Sequence, residues 1–141
     1  MSREERFLEA LERIVAGDAR YPGEAYLFVR EALDFTQKAI LKANKNVARH
    51  VTGQELLAGI REYGLSQFGP MTMAVLQAWG IERCEDFGEV VFNLVEHGLL
   101  SKTPQDSRED FKGGYDFAKA FRDPFIPSRR GLQSIPDTSA S

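Results

Sequence analysis

The sequence predicts a mainly α-helical protein of about five helices, with a winged-helix-like C-terminal half and a small β-hairpin. Apolar residues recur at helical spacing in five segments, two of these segments begin with a capping box, and most end at glycine. The 141 residues are 43% hydrophobic and 28% charged, which is ordinary for one globular domain with its own core. We therefore predict a single helical domain over residues 1–122. A flexible C-terminal tail is expected over residues 123–141, where the composition shifts to Pro, Ser and Arg.

The first two helices are predicted from two series of apolar residues at helical spacing, and the first also from an N-terminal capping box and a C-terminal glycine. Ser2 precedes Glu5 by three residues, and in such a capping box each side chain accepts a hydrogen bond from a backbone N–H near the other. The helix that begins there is expected to end at Gly17. A second series of apolar residues predicts a helix from about Gly23 to Asn44. Because this helix is apolar on more than one face, we expect it to have neighbours on several sides.

Three shorter helices follow along the chain. Thr52 and Glu55 form another capping box and predict the start of the third helix. Pro70 suits the first turn of a fourth helix, which is expected to stop at Gly80. The apolar spacing that follows predicts a fifth helix over residues 85–97.

The fourth and fifth helices, with a tight connection between them, are typical of the helix-turn-helix in a winged-helix domain. The second helix of such a pair commonly runs into a short strand, and residues 98–102 occupy that place. We predict strands over residues 99–103 and 108–111, although the stretch contains few β-branched residues. One or two further helical turns are expected over residues 115–121.

Short stretches within roughly residues 5–121 carry a family resemblance. They are Arg20-Tyr21-Pro22 with Ala25-Tyr26 and Phe28-Val29; Arg49-His50-Val51-Thr52-Gly53-Gln54-Glu55-Leu56-Leu57; and Trp79-Gly80-Ile81 with Asp86-Phe87-Gly88, Phe92-Asn93-Leu94-Val95 and Tyr115-Asp116-Phe117. In these residues the chain resembles an uncharacterised family of conserved hypothetical bacterial proteins found mainly in Verrucomicrobia and Planctomycetes. The resemblance implies a single domain, and it implies no activity, cofactor or site residue.

The formal net charge of −3 is distributed unevenly along the chain. Residues 38–61 carry 5 basic and 1 acidic side chains, whereas residues 62–110 carry 3 basic and 9 acidic ones. The basic segment contains the strongest candidate for an anion- or nucleic-acid-binding site, formed by Lys38, Lys42, Lys45, Arg49 and His50. The first two share a helix face, and the last two precede the third helix, whose free N–H groups attract anions. The alternative is a solvated helix end whose lysines pair with acidic residues of the same chain.

The predicted fifth helix is acidic, since it carries Glu85, Asp86, Glu89 and Glu96 and no Lys or Arg. DNA contact through this helix is not expected, because its carboxylates would repel phosphates. Adjacent carboxylates such as Glu85 and Asp86 point in different directions, and we expect both to be solvated. Asn93 is expected on the polar side of the same helix.

Nothing in the sequence predicts a catalytic residue, a metal site or a cofactor. His50 lies before the third helix and His97 at the end of the fifth, where a cation would complement the helix dipole. Cys84 is the only cysteine, which rules out an intrachain disulfide and a thiolate-rich zinc site but leaves open an exposed thiol.

The predicted tail holds apolar residues among prolines and arginines. Phe125, Ile126, Arg129 and Arg130 are therefore candidates for docking onto a partner. The alternative is that the two apolar residues among them pack back onto the domain.

Three function classes remain open at this level. The sequence favours a non-enzymatic protein-interaction or adaptor module that binds another protein through the tail or the acidic fifth helix. The alternative is an RNA- or phosphate-binding accessory protein that uses residues 38–50. A small enzyme of unknown reaction is the third class. The lack of a signal peptide or a long apolar stretch predicts a cytoplasmic protein without a membrane partner.

Overall fold

The computed structural model describes residues 2–101 and 108–127. Within these residues the chain forms α-helices and shorter helical turns, and no strand. The α-helices are α1 (Arg3–Gly17), α2 (Gly23–Ala43), α3 (Gly53–Phe68), α4 (Thr72–Ala78) and α5 (Cys84–Glu96). The shorter pieces are 3-10 turns at Gly69–Met71, Arg108–Phe111 and Asp123–Phe125 and a π-helical turn at Ala118–Arg122. The prediction of a mainly helical protein with five helices is confirmed.

The two predicted capping residues begin their helices as expected. The Glu5 N–H donates to Ser2 Oγ at 3.1 Å, and α1 starts at the next residue after Ser2. At α3 the capping box is complete, because the Glu55 N–H donates to Thr52 Oγ1 at 3.1 Å and the Thr52 N–H donates to Glu55 Oε1 at 3.0 Å. These bonds satisfy N–H groups that a helix start would otherwise leave unpaired.

Helix α2 is central to the core, because it packs against α1, α3 and α5. This confirms the neighbours predicted from its apolar breadth. The side chains that are almost completely removed from solvent come from all parts of the described fold and include Ile14, Tyr26, Val29, Leu57, Ile60, Leu76, Ile81, Phe87, Val90, Leu94 and Phe121. Burial of apolar surface on this scale is the main favourable contribution to folding.

Helices α2 and α3 lie close together at Gly59. A Cβ atom at this position would lie 1.7 Å from Thr36 Oγ1, so no larger residue fits without movement of a helix. Thr36 is buried and its hydroxyl donates to the Ala32 carbonyl oxygen at 2.7 Å, which holds the side chain against the glycine. Gly59 therefore sets the distance between the two helices.

The part of the chain after α5 contributes aromatic residues to the core. Phe111, Phe117 and Phe121 are buried, and the Phe117 and Phe121 rings meet edge to face with centroids 5.1 Å apart. By contrast, Phe125 and Ile126 are 44% and 53% exposed. Core packing thus extends to Phe121 and ends before these two residues.

The β-hairpin is not confirmed. Its second predicted strand, Arg108–Phe111, is a turn of 3-10 helix, and residues 99–101 form no strand. The turn places Phe111 against Gly88 of α5, where a Cβ atom would lie 3.0 Å from the Phe111 ring. Burial of this ring, together with the lack of β-branched residues in the turn, explains the helical geometry. Residues 102–107, which include the end of the first predicted strand, lie outside the described residues.

The thiol of Cys84 is not an exposed group. The residue is 1% exposed at the start of α5, where its sulfur accepts a hydrogen bond from the Tyr115 N–H at 3.3 Å. Burial raises the pKa of this thiol, which makes it a poor nucleophile.

Candidate functional site

A cavity of about 350 Å³ opens between α2, the start of α3 and the end of α5. We call it the α2–α5 groove. Its walls are mostly apolar, with Leu33 from α2, Leu56 from α3, and Val91 and Val95 from α5. Residues 50–53, 98–101 and 110–111 also line it. The groove thus brings together apolar side chains that lie far apart in the sequence.

The α2–α5 groove also has polar lining residues. Asp110 and His50 are among them, and no Lys or Arg of the described residues lines the groove. The residue that follows the end of α5, Gly98, lines it as well. Gln54 Nε2 donates to the Asp110 carbonyl oxygen at 2.5 Å and so ties the 3-10 turn to α3.

The predicted basic site is divided among three surfaces. Lys38 lines a cavity with Asp34, Arg49 lines a second cavity between α2 and α3, and His50 lines the α2–α5 groove. Lys42 and Lys45 line none of these cavities. The structure therefore does not bring the five predicted residues together in one pocket.

Two members of the basic site are paired with carboxylates of the same chain. Lys38 Nζ lies 2.9 Å from Asp34 Oδ2. Arg49 donates two hydrogen bonds to Glu55, at 2.8 and 2.6 Å. The Arg49 guanidinium, and after it the Thr52 N–H, lower the pKa of the Glu55 carboxyl to about 2. The Glu55 carboxylate thus lies at the start of α3, where the helix N-terminus attracts an anion.

The segment between α2 and α3 is exposed throughout residues 41–50. Lys45 and Asn46 adopt left-handed backbone conformations, with φ of 51° and 66°. The Asn46 N–H donates to the Leu41 carbonyl oxygen at 2.8 Å, and Asn44 Nδ2 donates to the Val47 carbonyl oxygen at 3.1 Å. Among the described residues no carboxylate forms an ion pair with Lys45.

The prediction for Asn93 is wrong, because this side chain is buried. Asn93 Nδ2 donates to Asp18 Oδ2 at 3.0 Å and to the Tyr26 hydroxyl at 2.9 Å. The Arg20 guanidinium, above all, and the Asn93 amide hold the pKa of the Asp18 carboxyl well below its ordinary value, against the effect of burial. The position is buried because α5 contacts both α2 and the connection that follows α1. An amide within a run of apolar residues was the only sequence signal for this contact.

The sequence predicted a solvated Asp86 carboxylate, and this prediction is wrong. The carboxylate caps the start of α5. It accepts hydrogen bonds from the Tyr21 hydroxyl at 2.7 Å and from the backbone N–H groups of Glu82 and Arg83 at 2.9 and 3.2 Å. Burial, and then the bond to Asp86, raise the pKa of the Tyr21 hydroxyl. The free N–H groups at the helix start explain why this carboxylate is drawn inward.

The acidic face of α5 is partly neutralised by arginines. Glu89 Oε2 lies 3.4 Å from Arg20 Nη2 and 3.4 Å from Arg108 Nε. Arg108 Nη2 also lies 3.3 Å from Glu96 Oε1. The Arg108 guanidinium stacks over the Phe92 ring, 5.1 Å from its centroid. These contacts leave less acidic surface for a partner than the sequence suggested.

The two histidines line no common cavity among the described residues. His97 is exposed at the end of α5, and its Nδ1 lies 2.9 Å from the Asn93 carbonyl oxygen, in keeping with the helix-end role predicted for it. His50 lines the α2–α5 groove. In the part of the chain that the structure describes, no three His, Cys, Asp or Glu side chains are placed to hold a metal ion.

The predicted docking residues of the tail are only partly described. Phe125 and Ile126 are 44% and 53% exposed, so the domain covers each of them only in part. Arg129 and Arg130 lie outside the described residues.

Comparison with known proteins adds no relative. No family model, no curated protein and no solved structure matches the chain. Among the described helices, none has the length and apolar character needed to cross a membrane.

Proposed function

We propose that this protein is a protein-interaction module whose α2–α5 groove receives a short segment of a partner protein. The observation that supports it is the cavity of about 350 Å³, which is walled by apolar side chains of three helices. Peptide-binding domains use such grooves to bury one or two anchoring side chains of an extended or helical segment.

The lining of the groove indicates the chemistry of the partner segment. Most of its side chains are apolar, and no described Lys or Arg is among them. A segment that buries two bulky apolar side chains is complementary to such a groove.

Binding of RNA or a phosphate group through residues 38–50 is the second candidate. It is supported by the exposure of Lys42 and Lys45. It is weakened because Lys38 and Arg49 already pair with carboxylates. If bulk RNA binds, its affinity should fall steeply with salt and should be lost when Lys42 and Lys45 are both changed to Glu.

We infer a winged-helix-like arrangement of α4 and α5, supported by the short connection over residues 79–83. Membership of the family found mainly in Verrucomicrobia and Planctomycetes is supported by the stretches of sequence named above. Residence in the cytoplasm and an absence of catalysis are proposed on the composition and on the lack of a catalytic motif.

A peptide selection tests the proposed function. The full chain and its Val95→Arg variant are screened against a displayed library of random 12-residue peptides. We expect the full chain to enrich peptides with two bulky apolar side chains, and Val95→Arg to lose them, because an arginine there fills and charges the groove.

Met71→Arg is the matched control for this selection, because Met71 is 60% exposed and does not line the groove. Leu100→Gln is a milder groove variant for the case that Val95→Arg unfolds, which a thermal melt would show. Peptides that bind all three variants as well as the unchanged chain would contradict the proposal.

A further inference from the structure

The end of α2 and the connection to α3 form the longest exposed run among the described residues. All ten residues of 41–50 are exposed. Within this run Leu41 is 36% exposed and Val47 is 60% exposed. Neither residue lines any of the three cavities described above, so both side chains project from the surface. Two apolar side chains are thus presented together to a partner that covers a protruding surface.

Hydrogen bonds hold this part of the chain as a compact turn. The Asn46 N–H donates to the Leu41 carbonyl oxygen at 2.8 Å, and the Val47 N–H donates to the Asn44 carbonyl oxygen at 3.0 Å. These bonds keep Val47 beside the last turn of α2, which contains Leu41. Because the backbone is already ordered, covering both apolar side chains costs little further conformational entropy.

The charge around the two apolar residues is positive. Residues 38–50 contain four Lys or Arg and no Asp or Glu. Lys38 and Arg49 are paired within the chain. No described carboxylate forms an ion pair with Lys42 or Lys45. A negatively charged partner therefore gains the attraction of both lysines without displacing a carboxylate of this chain.

Aliphatic side chains beside lysines favour a lipid surface over RNA. Proteins that bind single-stranded RNA stack its bases on aromatic rings, and residues 38–49 contain no aromatic residue. The interface of a bilayer takes up aliphatic side chains, while its anionic headgroups attract lysines. A protruding side chain such as Val47 can enter this interface without a pocket of complementary shape.

We propose that Leu41, Lys42, Lys45 and Val47, which we call the α2-end surface, dock on an anionic membrane. The two aliphatic side chains enter the headgroup region, and the two lysines lie beside lipid phosphates. The sequence predicted no membrane partner because it has no long apolar stretch, but a contact with the bilayer surface needs none. Since so few residues take part, the binding is weak and reversible.

Co-sedimentation of the full chain with vesicles tests this surface. The vesicles contain phosphatidylglycerol and phosphatidylcholine in equal parts, or phosphatidylcholine alone. We expect binding to the anionic vesicles only, and weaker binding as salt rises, because salt screens the lysines. Lys42→Ala combined with Lys45→Ala should lower the partition coefficient about tenfold or more, since each lysine contributes about fivefold at an anionic surface.

A second pair of substitutions is the matched control for charge. Lys119→Ala combined with Arg122→Ala removes the same charge from exposed positions of the π-helical turn at Ala118–Arg122. This variant should bind anionic vesicles nearly as well as the unchanged chain. An equal loss of binding in the two double variants would show that only the overall charge matters, and would overturn the proposal.

Val47→Ser tests the apolar part of the contact. It should lower the partition coefficient about threefold, because it removes aliphatic surface that the bilayer would bury. Met71→Ser is the matched control, since Met71 is also 60% exposed but lies after α3. We expect this variant to bind as the unchanged chain does.

A fluorescent label reports directly whether the turn enters the bilayer. Val47→Cys and, as the control, Met71→Cys are each labelled with a dye whose emission depends on polarity; Cys84 does not compete because it is 1% exposed. On anionic vesicles the emission from position 47 should shift to shorter wavelength, and the emission from position 71 should not change. The absence of a shift at position 47, or equal shifts at both positions, would overturn the proposal.

The remaining outcomes separate lipid from RNA and from the groove. If the full chain fails to bind anionic vesicles but binds bulk RNA through Lys42 and Lys45, and Val47→Ser leaves this binding unchanged, RNA is the partner and the membrane contact is wrong. None of the four residues of the α2-end surface lines the α2–α5 groove. Failure of vesicle binding therefore leaves the proposed function intact, and failure of the peptide selection leaves the membrane contact intact.

Discussion

Asn93 links three parts of the chain through one side-chain amide. Its Nδ2 donates to Asp18 in the α1–α2 connection and to the Tyr26 hydroxyl in α2, while the residue itself belongs to α5. A buried polar group is tolerated when it is hydrogen-bonded, and the buried Tyr26 hydroxyl is bonded to this amide, whereas Asp18 also accepts hydrogen bonds from Arg20. These hydrogen bonds therefore favour one position of α5 relative to α2 and to the α1–α2 connection.

Asn93→Ala is expected to lower the free energy of unfolding by about 1–3 kcal/mol, because it leaves the buried Tyr26 hydroxyl without this partner. Urea denaturation followed by circular dichroism measures the change. Gln77→Ala, at an exposed position of α4, should stay within about 0.5 kcal/mol of the unchanged protein. Equal effects of the two substitutions would show that the amide contributes no specific stability.

The Glu55 carboxylate predicts a pH dependence with a definite sign. Its pKa falls from 4.5 to about 2 on folding, chiefly through Arg49, so its stabilising effect is complete above the unfolded value. The effect is lost as the pH falls from about 4.5 to about 2. Because the ion pair is partly exposed, we expect only about 1 kcal/mol.

The measurement is the unfolding free energy of the protein and of Glu55→Gln between pH 7 and pH 2. The unchanged protein should be more stable at pH 7, and the difference should shrink below pH 4.5. A difference that is constant across this range would contradict the pairing of Glu55 with Arg49.

Helix boundaries were the part of the fold that local sequence signals predicted well. Ser2 and Thr52 cap α1 and α3, and the glycine stops lie where the helices end. Arg108–Phe111 was predicted wrongly, because its geometry depends in part on the contact of Phe111 with Gly88, which lies twenty-three residues earlier in the chain. The contact between Gly59 and Thr36 could not be predicted from the sequence either, because it depends on how α2 and α3 cross.

At the level of elements, Gly59→Ala is expected to destabilise the α2–α3 contact. The added methyl group collides with Thr36, and overpacking of this kind costs about 1–3 kcal/mol. The control is Gly17→Ala, where nothing lies within 4 Å of the added atom. Thermal unfolding should show a lower midpoint for the first variant only, and an unchanged midpoint for Gly59→Ala would mean that the helices separate freely.

For the whole molecule, function depends on which surface is free to bind. The basic residues 38–50 are divided among several surfaces, and the acidic face of α5 is paired with Arg20 and Arg108. The α2–α5 groove is lined mostly by apolar side chains of three helices. The sequence did not predict this groove, because Leu33, Leu56 and Val95 approach one another only after three helices have packed together.

Chemical-shift mapping of the full chain with the most enriched selected peptide tests the central claim most directly. We predict that the backbone amide shifts concentrate at Val51, Val95 and Leu100, which line the α2–α5 groove, and that Val95→Arg abolishes them. Shifts centred on Lys42 and Lys45, or shifts that persist in Val95→Arg, would contradict the claim that the groove is the binding site.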